Sequence, residues 1–544
     1  MSANETVEAG TDDPAPGTQY PVPPPSRTRR LAGAAAIVAA GTVFSRLVAL
    51  PRESLIAGLF GDGVLTNSFT IAENVLTIFL DLLLSGIAGA VLVPVLSEYA
   101  GEGQRERLGQ LVGKLLALVL VGGGAMLLVL MLGAEWVALA MTGFGDPATY
   151  DRELVVSLIR WILPALVLLG VASVLQSTLY ALQRFTAPAL SLAARNAAVV
   201  LALLLFGRTL GVYSMTVGIL VGAVALVLLQ LPGFRGANLP IRLALDPRDP
   251  DLRRIGRLYL PVFLGLALNS AALIIDRNLA ERASEHGVAA MRFATQVQQL
   301  AVGLVVTAIN VAALPRLSRA AAEGDDAEFG RTLALGMRLV TTLVLPVTAG
   351  LVVLSEPLVN LLFFHGATTA AGAGEIRIAL IGYAVGLPFI AWDQLLLFAF
   401  YARKNTRTPV LVGVAAVGVL LAASFALVAP FGVLGLVLAN SAQFAFHAAV
   451  MFVLARRGGI PAFDTANFGD TLARTGVVAL VMGAVVAAVA ALMARGSGAG
   501  LVAETVAVAV PSLAGVAVYG VGVWLLRVEE ARYLVGAVRG RLWQ

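Results

Sequence analysis

Cysteine is absent from this chain of 544 residues. Disulfides, thiolate metal sites and cysteine nucleophiles are therefore excluded. Histidine occurs three times, as His286, His365 and His447, too scattered in sequence for a metal cluster. Charged residues make up 13% of the chain, about half the share of an ordinary soluble domain. Only residues 1–30 lack a long hydrophobic run. There is no Walker A pattern and no catalytic constellation, so the chain reads as a non-enzyme with no resident cofactor. Coupling to the membrane potential or to a monovalent cation stays open.

What remains is apolar. Hydrophobic residues reach 58%, glycine adds 56 more, and the mean hydropathy is +0.87. That suffices for about 14 spans of about 20 residues. The apolar runs fall at 31–60, 66–97, 107–133, 153–182, 186–206, 209–232, 257–280, 287–318, 329–356, 375–402, 408–429, 432–455, 471–494 and 503–526. They are too long and continuous for the alternation of a membrane barrel. The expected fold is an all-α polytopic membrane protein of about 14 transmembrane helices.

Residues 1–30 carry Pro14, Pro16, Pro21, Pro23, Pro24 and Pro25 among acidic residues and are expected to be a disordered tail. Arg27, Arg29 and Arg30 precede a long span without a clear cleavage site, which argues against a signal peptide. Basic residues then recur in every second loop: Arg105 and Arg107, Arg184, the cluster Arg235 to Arg257, Arg316 and Arg319, Arg403 to Arg407, Arg456 and Arg457. The alternate loops hold Asp62, Glu135, Asp146, Asp151, Glu281 and Glu285. The asymmetry predicts a multi-pass membrane protein with both termini in the cytoplasm. It also accounts for the net charge of +5 without invoking nucleic acid.

An internal repeat organises the chain. Val93-Pro94-Val95-Leu96-Ser97 returns as Leu314-Pro315-Arg316-Leu317-Ser318, Tyr180-Ala181 as Tyr401-Ala402, Pro188 as Pro409, and Gly211-Val212 as Gly432-Val433. Each pair lies 221 residues apart. The offset relates six spans to six in the same orientation, a plan that recurs in transporters. The expected division is an N-lobe over 31–232, a basic linker over 233–256, a C-lobe over 257–457, and two further helices with a tail over 458–544.

Charges at membrane depth cost several kcal/mol and usually face a cavity or a partner. Arg46 and Arg52 flank Pro51, which is expected to kink the first span. Two guanidiniums there suit a diphosphate. Snorkelling at a helix end is an alternative for Arg52, beside Glu53, and pairing with Glu73 or Asp81 is one for Arg46. Arg195 is central in the fifth span. Arg277 joins the candidates for substrate binding, unless it simply pairs with Glu281 at i,i+4. Glu73, Asp81, Asp276 and Asp393 are candidates for ion coupling or for ion pairs in a cavity. The groups so considered number four basic and four acidic, and no metal site is expected.

Phe44-Ser45-Arg46 followed by Arg52-Glu53 resembles the first-helix signature of the MurJ/MviN lipid II flippases. Phe60-Gly61, the two repeated Pro-containing segments and Phe400-Tyr401-Ala402-Arg403 with Thr408-Pro409 are similar to that family in order and spacing. The resemblance runs from about residue 31 to the end. It implies the MOP flippase superfamily, two six-helix lobes around a cavity, and inner-to-outer leaflet movement of an undecaprenyl-pyrophosphate-linked peptidoglycan precursor by alternating access. It also implies that the last two helices form a groove for the lipid tail, and that cell-wall synthesis proteins are partners. The chain departs from the family pattern at Asn67, Asp81, Ser85, Thr295 and Gln296, and by that alignment an arginine of the eighth span is missing. Competing readings are a flippase for another polyprenyl-linked glycan, a cation-coupled drug exporter of the same superfamily, and a non-transporting cell-wall scaffold.

Overall fold

The computed structural model describes residues 44–82, 91–143, 148–460, 463, 467–494 and 500–530. The expectations for residues 1–30, Ser85 and the chain beyond 530 lie outside that set. The described residues contain helices and no strand. Eleven helices are long and apolar enough to cross a membrane, and Val64–Leu80 is a shorter apolar one. Each of the fourteen apolar runs is occupied, in whole or in part, by a helix or a broken pair.

The first half comprises α1 (44–60), α2 (Val64–Leu80), α3 (Val93–Glu98), α4 (Arg105–Leu132), α5 (Ala134–Thr142), α6 (Arg152–Ile162), α7 (Pro164–Ala181), α8 (Thr186–Leu210) and α9 (Tyr213–Gln230). The second half comprises α10 (Pro250–Ala283), α11 (Gly287–Glu323), α12 (Asp326–Val353), α13 (Ser355–Leu362), α14 (Ala370–Ala402), α15 (Arg407–Phe431) and α16 (Val433–Leu454), followed by α17 (Phe468–Ala494) and α18 (Leu501–Leu525). The 221-residue offset recurs in the coordinates. Both ends of α4 map onto the ends of α12, and both ends of α8 onto those of α15. Even backbone outliers repeat: Gln183 and Lys404 have φ of 61° and 59°, and Gly211 and Gly432 have 56° and 55°. α8 packs on α9 as α15 packs on α16, and α7 on α9 as α14 on α16.

The halves also differ. In the second span α11 is continuous, and its counterpart in the first half is described over α2 and α3. The fourth span of the first half is interrupted at the single residue Leu163, before Pro164, whereas α14 runs unbroken through Pro388. α1 likewise continues through Pro51. Large apolar side chains face outward in both halves and in the final pair: Leu132 is 85% exposed, Leu411 70%, Leu480 75% and Leu513 70%. Such a surface requires a hydrocarbon solvent.

Two faces matter below. The linker face carries the segment between α9 and α10. α10 begins at Pro250, seven residues before the apolar run, because Asp249 caps it by accepting from the Asp251 and Leu252 amides at 2.8 and 3.4 Å. The linker is strapped onto the first half. Lys114 Nζ reaches Asp246 and Asp249 at 2.9 and 2.6 Å, Arg107 reaches Asp249 and Asp251 at 3.2 and 2.6 Å, and Arg254 pairs with Glu98 at 2.7 Å. Gly113 is needed beneath it, since a Cβ there would lie 2.0 Å from the Arg242 carbonyl oxygen. α17 and α18 pack on each other and on α12 and α13, tied by Tyr519 donating to the Thr342 carbonyl at 2.7 Å.

Candidate functional site

The opposite face, here the gate face, is where the halves close on each other. Ala367 N–H donates to the Gly58 carbonyl at 3.0 Å, and Thr368 Oγ1 to the Ala57 carbonyl at 3.0 Å. Asp62, almost fully buried, accepts from the Thr369 amide and hydroxyl at 3.2 and 2.8 Å. His286 Nδ1 lies 3.3 Å from the Asp62 carbonyl. Gly366 has φ +64°, and a Cβ there would sit 2.1 Å from the Gly58 carbonyl oxygen, so only glycine admits this approach. Asn67 completes the seal. Its Nδ2 donates to the Thr149 and Glu285 carbonyls at 2.9 and 2.7 Å, and its Oδ1 accepts from the Ala289 amide at 3.0 Å. A carboxylate could not donate to those two carbonyls, which gives the family departure at Asn67 a physical reason.

Beneath the gate lies a buried ionic network that crosses between the halves. Arg292 of α11 is 6% exposed and donates to Glu53 of α1 at 2.8 and 3.1 Å. It also donates to Glu73 of α2 at 2.5 Å, and stands over the Phe69 ring at 5.3 Å. Glu53 is fully buried and accepts from Arg52 Nε and Nη2 as well, at 2.9 and 2.5 Å. The snorkelling alternative for Arg52 is thereby corrected: its side chain is 11% exposed and tied to a buried acid. Arg195 of α8 lies within electrostatic reach of Arg52 and Glu73, and its buried Nε has no hydrogen-bond partner among the described residues. Arg46 is half-buried, 14 residues or about 21 Å below the end of α1. Its Nη1 donates to the Gln299 carbonyl of α11. The alternative in which Arg46 pairs with Glu73 is replaced by this contact, because Arg292 occupies Glu73.

The remaining candidates lie elsewhere. Asp276 and Arg277 sit on α10 within reach of Tyr383 of α14. Arg277 makes no hydrogen bond to Glu281; Nε and Nη1 of Arg277 and both carboxylate oxygens of Glu281 are buried without one among the described residues. The i,i+4 spacing nevertheless keeps Arg277 within electrostatic reach of Glu281. Asp81 is exposed at the end of α2, next to undescribed residues. Asp393 is buried inside the second half against His447. An even charge tally therefore misdescribes the site. Among the described residues, Arg52, Arg195 and Arg292 gather around Glu53 and Glu73, which leaves a cationic surplus.

Arg292 was missed by sequence reasoning. An arginine in an otherwise apolar opening turn of a span is the signal that could have found it; attention to the pattern at Ala294, Thr295 and Gln296 passed over it. Thr295 instead donates to the Met291 carbonyl of its own helix at 2.6 Å.

Residues 56–507 match the family described as lipid II flippase MurJ. Curated relatives include the lipid II flippase MurJ of Burkholderia cenocepacia, 26% identical over 425 residues, which cover 77% of this chain and 82% of the relative. A probable lipid II flippase MurJ of Rhizobium tropici is 26% identical over 504 residues, covering 90% and 93%. Among solved structures, a lipid II flippase MurJ in an inward closed conformation matches with a TM-score of 0.73 at 19% identity, covering 91% of this chain and 99% of that one. An inward-facing multidrug resistance MATE family transporter of the MOP superfamily matches with a TM-score of 0.67 at 15% identity, covering 76% and 94%. These structural likenesses concern the fold.

Proposed function

Because the chain belongs to the lipid II flippase MurJ family, we propose that it carries lipid II across a bacterial inner membrane between its two halves, with the linker face and both termini in the cytoplasm. The observation that carries this reading is the cationic surplus around Arg52, Arg195 and Arg292 at the junction of the halves. A diphosphate brings negative charge to this surplus, and forked guanidiniums match its oxygens in pairs. Arg46, deepest from the gate, meets the headgroup first from the linker face.

The same network explains how binding opens the gate. Arg292 holds the halves together through Glu53 and Glu73. A diphosphate competes with those carboxylates for Arg52 and Arg292, so occupancy weakens the contact that keeps the gate face shut. The prenyl tail stays in the bilayer while the headgroup crosses, and the exposed faces of α17 and α18 offer it an apolar wall. Cell-wall synthesis proteins then receive the substrate on the far side.

Complementation of a flippase-depleted bacterium tests the reading. The wild-type chain should restore growth, Arg46→Ala should not, and Arg46→Lys should restore it in part, all at equal membrane abundance. Rescue by Arg46→Ala at normal efficiency removes Arg46 from the substrate path. Drug resistance without rescue by the wild type would favour the exporter reading.

A further inference from the structure

Inside the second half, away from the network just described, Asp393 of α14 meets His447 of α16. They are 7% and 8% exposed. His447 Nδ1 faces Asp393 Oδ1, and His447 Nε2 faces the Pro409 carbonyl of α15 at 3.2 Å. Both ring nitrogens thus face acceptor oxygens. A neutral imidazole carries one N–H, so it can donate to one of the two and must present a lone pair to the other. Both contacts form together only when the pair holds one further proton, either as imidazolium with carboxylate or as imidazole with carboxylic acid. Loss of that proton leaves the pair with a net negative charge in a membrane interior and breaks its bond to α14 or to α15.

The internal repeat shows that the fold does not need this pair. At the matching positions, 221 residues earlier, stand Ala172 and Leu226, both buried, on α7 and α9. Pro188 matches Pro409. The carbonyl-bearing proline is common to both halves, and the titratable pair is an addition to one.

We propose that Asp393 and His447 form a proton-binding site that couples protonation to the packing of α14, α15 and α16, making the proton the coupling ion. This rests on the transport reading above. One proton is taken up to make both contacts, and the same proton is released when one of them breaks. Neighbouring charges do not supply a substitute. Arg338 of α12 pairs with Glu530 at 3.1 Å, Arg403 just past α14 with Asp326 at 2.7 Å, and Arg474 of α17 with Asp470 at 2.9 Å. Arg407 of α15 is exposed. Tyr401 of α14 is within electrostatic reach of Asp393. Asp276 and Arg277 of α10 reach Tyr383, ten residues or about 15 Å along α14 from Asp393. A tenth of each side chain stays accessible, which lets the proton exchange.

The test uses the full chain in proteoliposomes and two readouts. Ala289→Cys, the one thiol in a cysteine-free chain, reports gate opening by its labelling rate without substrate. That rate, divided by the rate of a free thiol at the same pH to remove the intrinsic effect of thiolate formation, should change at least about fivefold between pH 5 and 8. The change should vanish in His447→Gln and in the double variant Asp393→Ala with His447→Leu, which copies Ala172 and Leu226. A trapped pH indicator should record proton movement with lipid II in the wild type and none in the double variant. A pH response that survives in either folded variant overturns the proposal, as does lipid II transport with no pH response in the wild type. A pH response that needs the pair, in a chain that moves no lipid II, keeps the proton site and overturns the transport reading.

Discussion

At position 195 the first half of the molecule carries an arginine; 221 residues later the second half carries Ala416, buried at 1% exposure. At position 292 the relation is reversed, and the first half has the fully buried Ile71. One backbone plan therefore accommodates a charge or a methyl group at the same helical position. Comparing the halves separates what the fold requires from what was added to it. The first half adds Arg46, Arg52, Glu53, Glu73 and Arg195 along one junction. The second adds Arg292 to meet them, and keeps Asp393 and His447 to itself.

Copying residues from one half to the other tests that separation. The largest effect is expected from Arg292→Ile, which imports Ile71. It strands the fully buried Glu53 with Arg52 alone, so stability should fall by about 3–5 kcal/mol and transport should be lost. Thermal unfolding in detergent alongside a flipping assay reads both, and a stable, active variant would show that the halves do not communicate through this residue. Ala416→Arg, importing Arg195, has no cavity to enter and should cost about 3 kcal/mol. The reciprocal Arg195→Ala should leave the melting temperature nearly unchanged, because its Nε has no partner to lose, while flipping drops about tenfold. Equal stability losses from these two exchanges would contradict the asymmetry.

Smaller effects concern the gate and the strap. Asn67→Asp turns a double donor into an acceptor opposite two carbonyls and should cost about 2 kcal/mol. It should also raise labelling of Ala289→Cys, and unchanged labelling would mean the gate does not depend on this amide. At the strap, hydrogen bonds from Lys114 and Arg254 hold the Asp246 and Glu98 carboxyls below the usual carboxylate range. Such depressed acids favour the fastened state above their unfolded values near 4 and lose that contribution as pH falls through their lower folded values. Hydrogen exchange over 240–251, corrected for its intrinsic pH dependence, should stay flat from pH 8 to about 5 and rise below about 4.

Much of the fold was legible because lipid solvent writes long apolar runs into a sequence, and because duplication writes them twice. The offset carried by Pro188 and Pro409 reappears in helix ends and in the φ angles of Gln183 and Lys404. The site was legible only in part. Arg46, Arg52, Glu73 and Arg195 were found because a charge in an apolar run stands out. Which of them meet was not, since a helix can turn either way about its axis without changing its hydropathy. Arg292 is hidden among small residues, and in sequence Glu53 is a helix-end neighbour of Arg52 with nothing to mark it as the acid shared by both halves. His447 stands isolated in sequence because its partner is an acid 54 residues away on another helix.

The strap has a consequence for conditions outside the membrane. Its fastening charges include the half-exposed pair Arg254–Glu98, and such pairs lose strength as ions crowd around them, over a distance of about 8 Å at physiological salt. The Arg292 network is buried and screened far less. The solute concentration of the compartment on the linker face would therefore act as a brake adjustment, setting how firmly the tether between the halves grips while leaving the grip on the passenger unchanged.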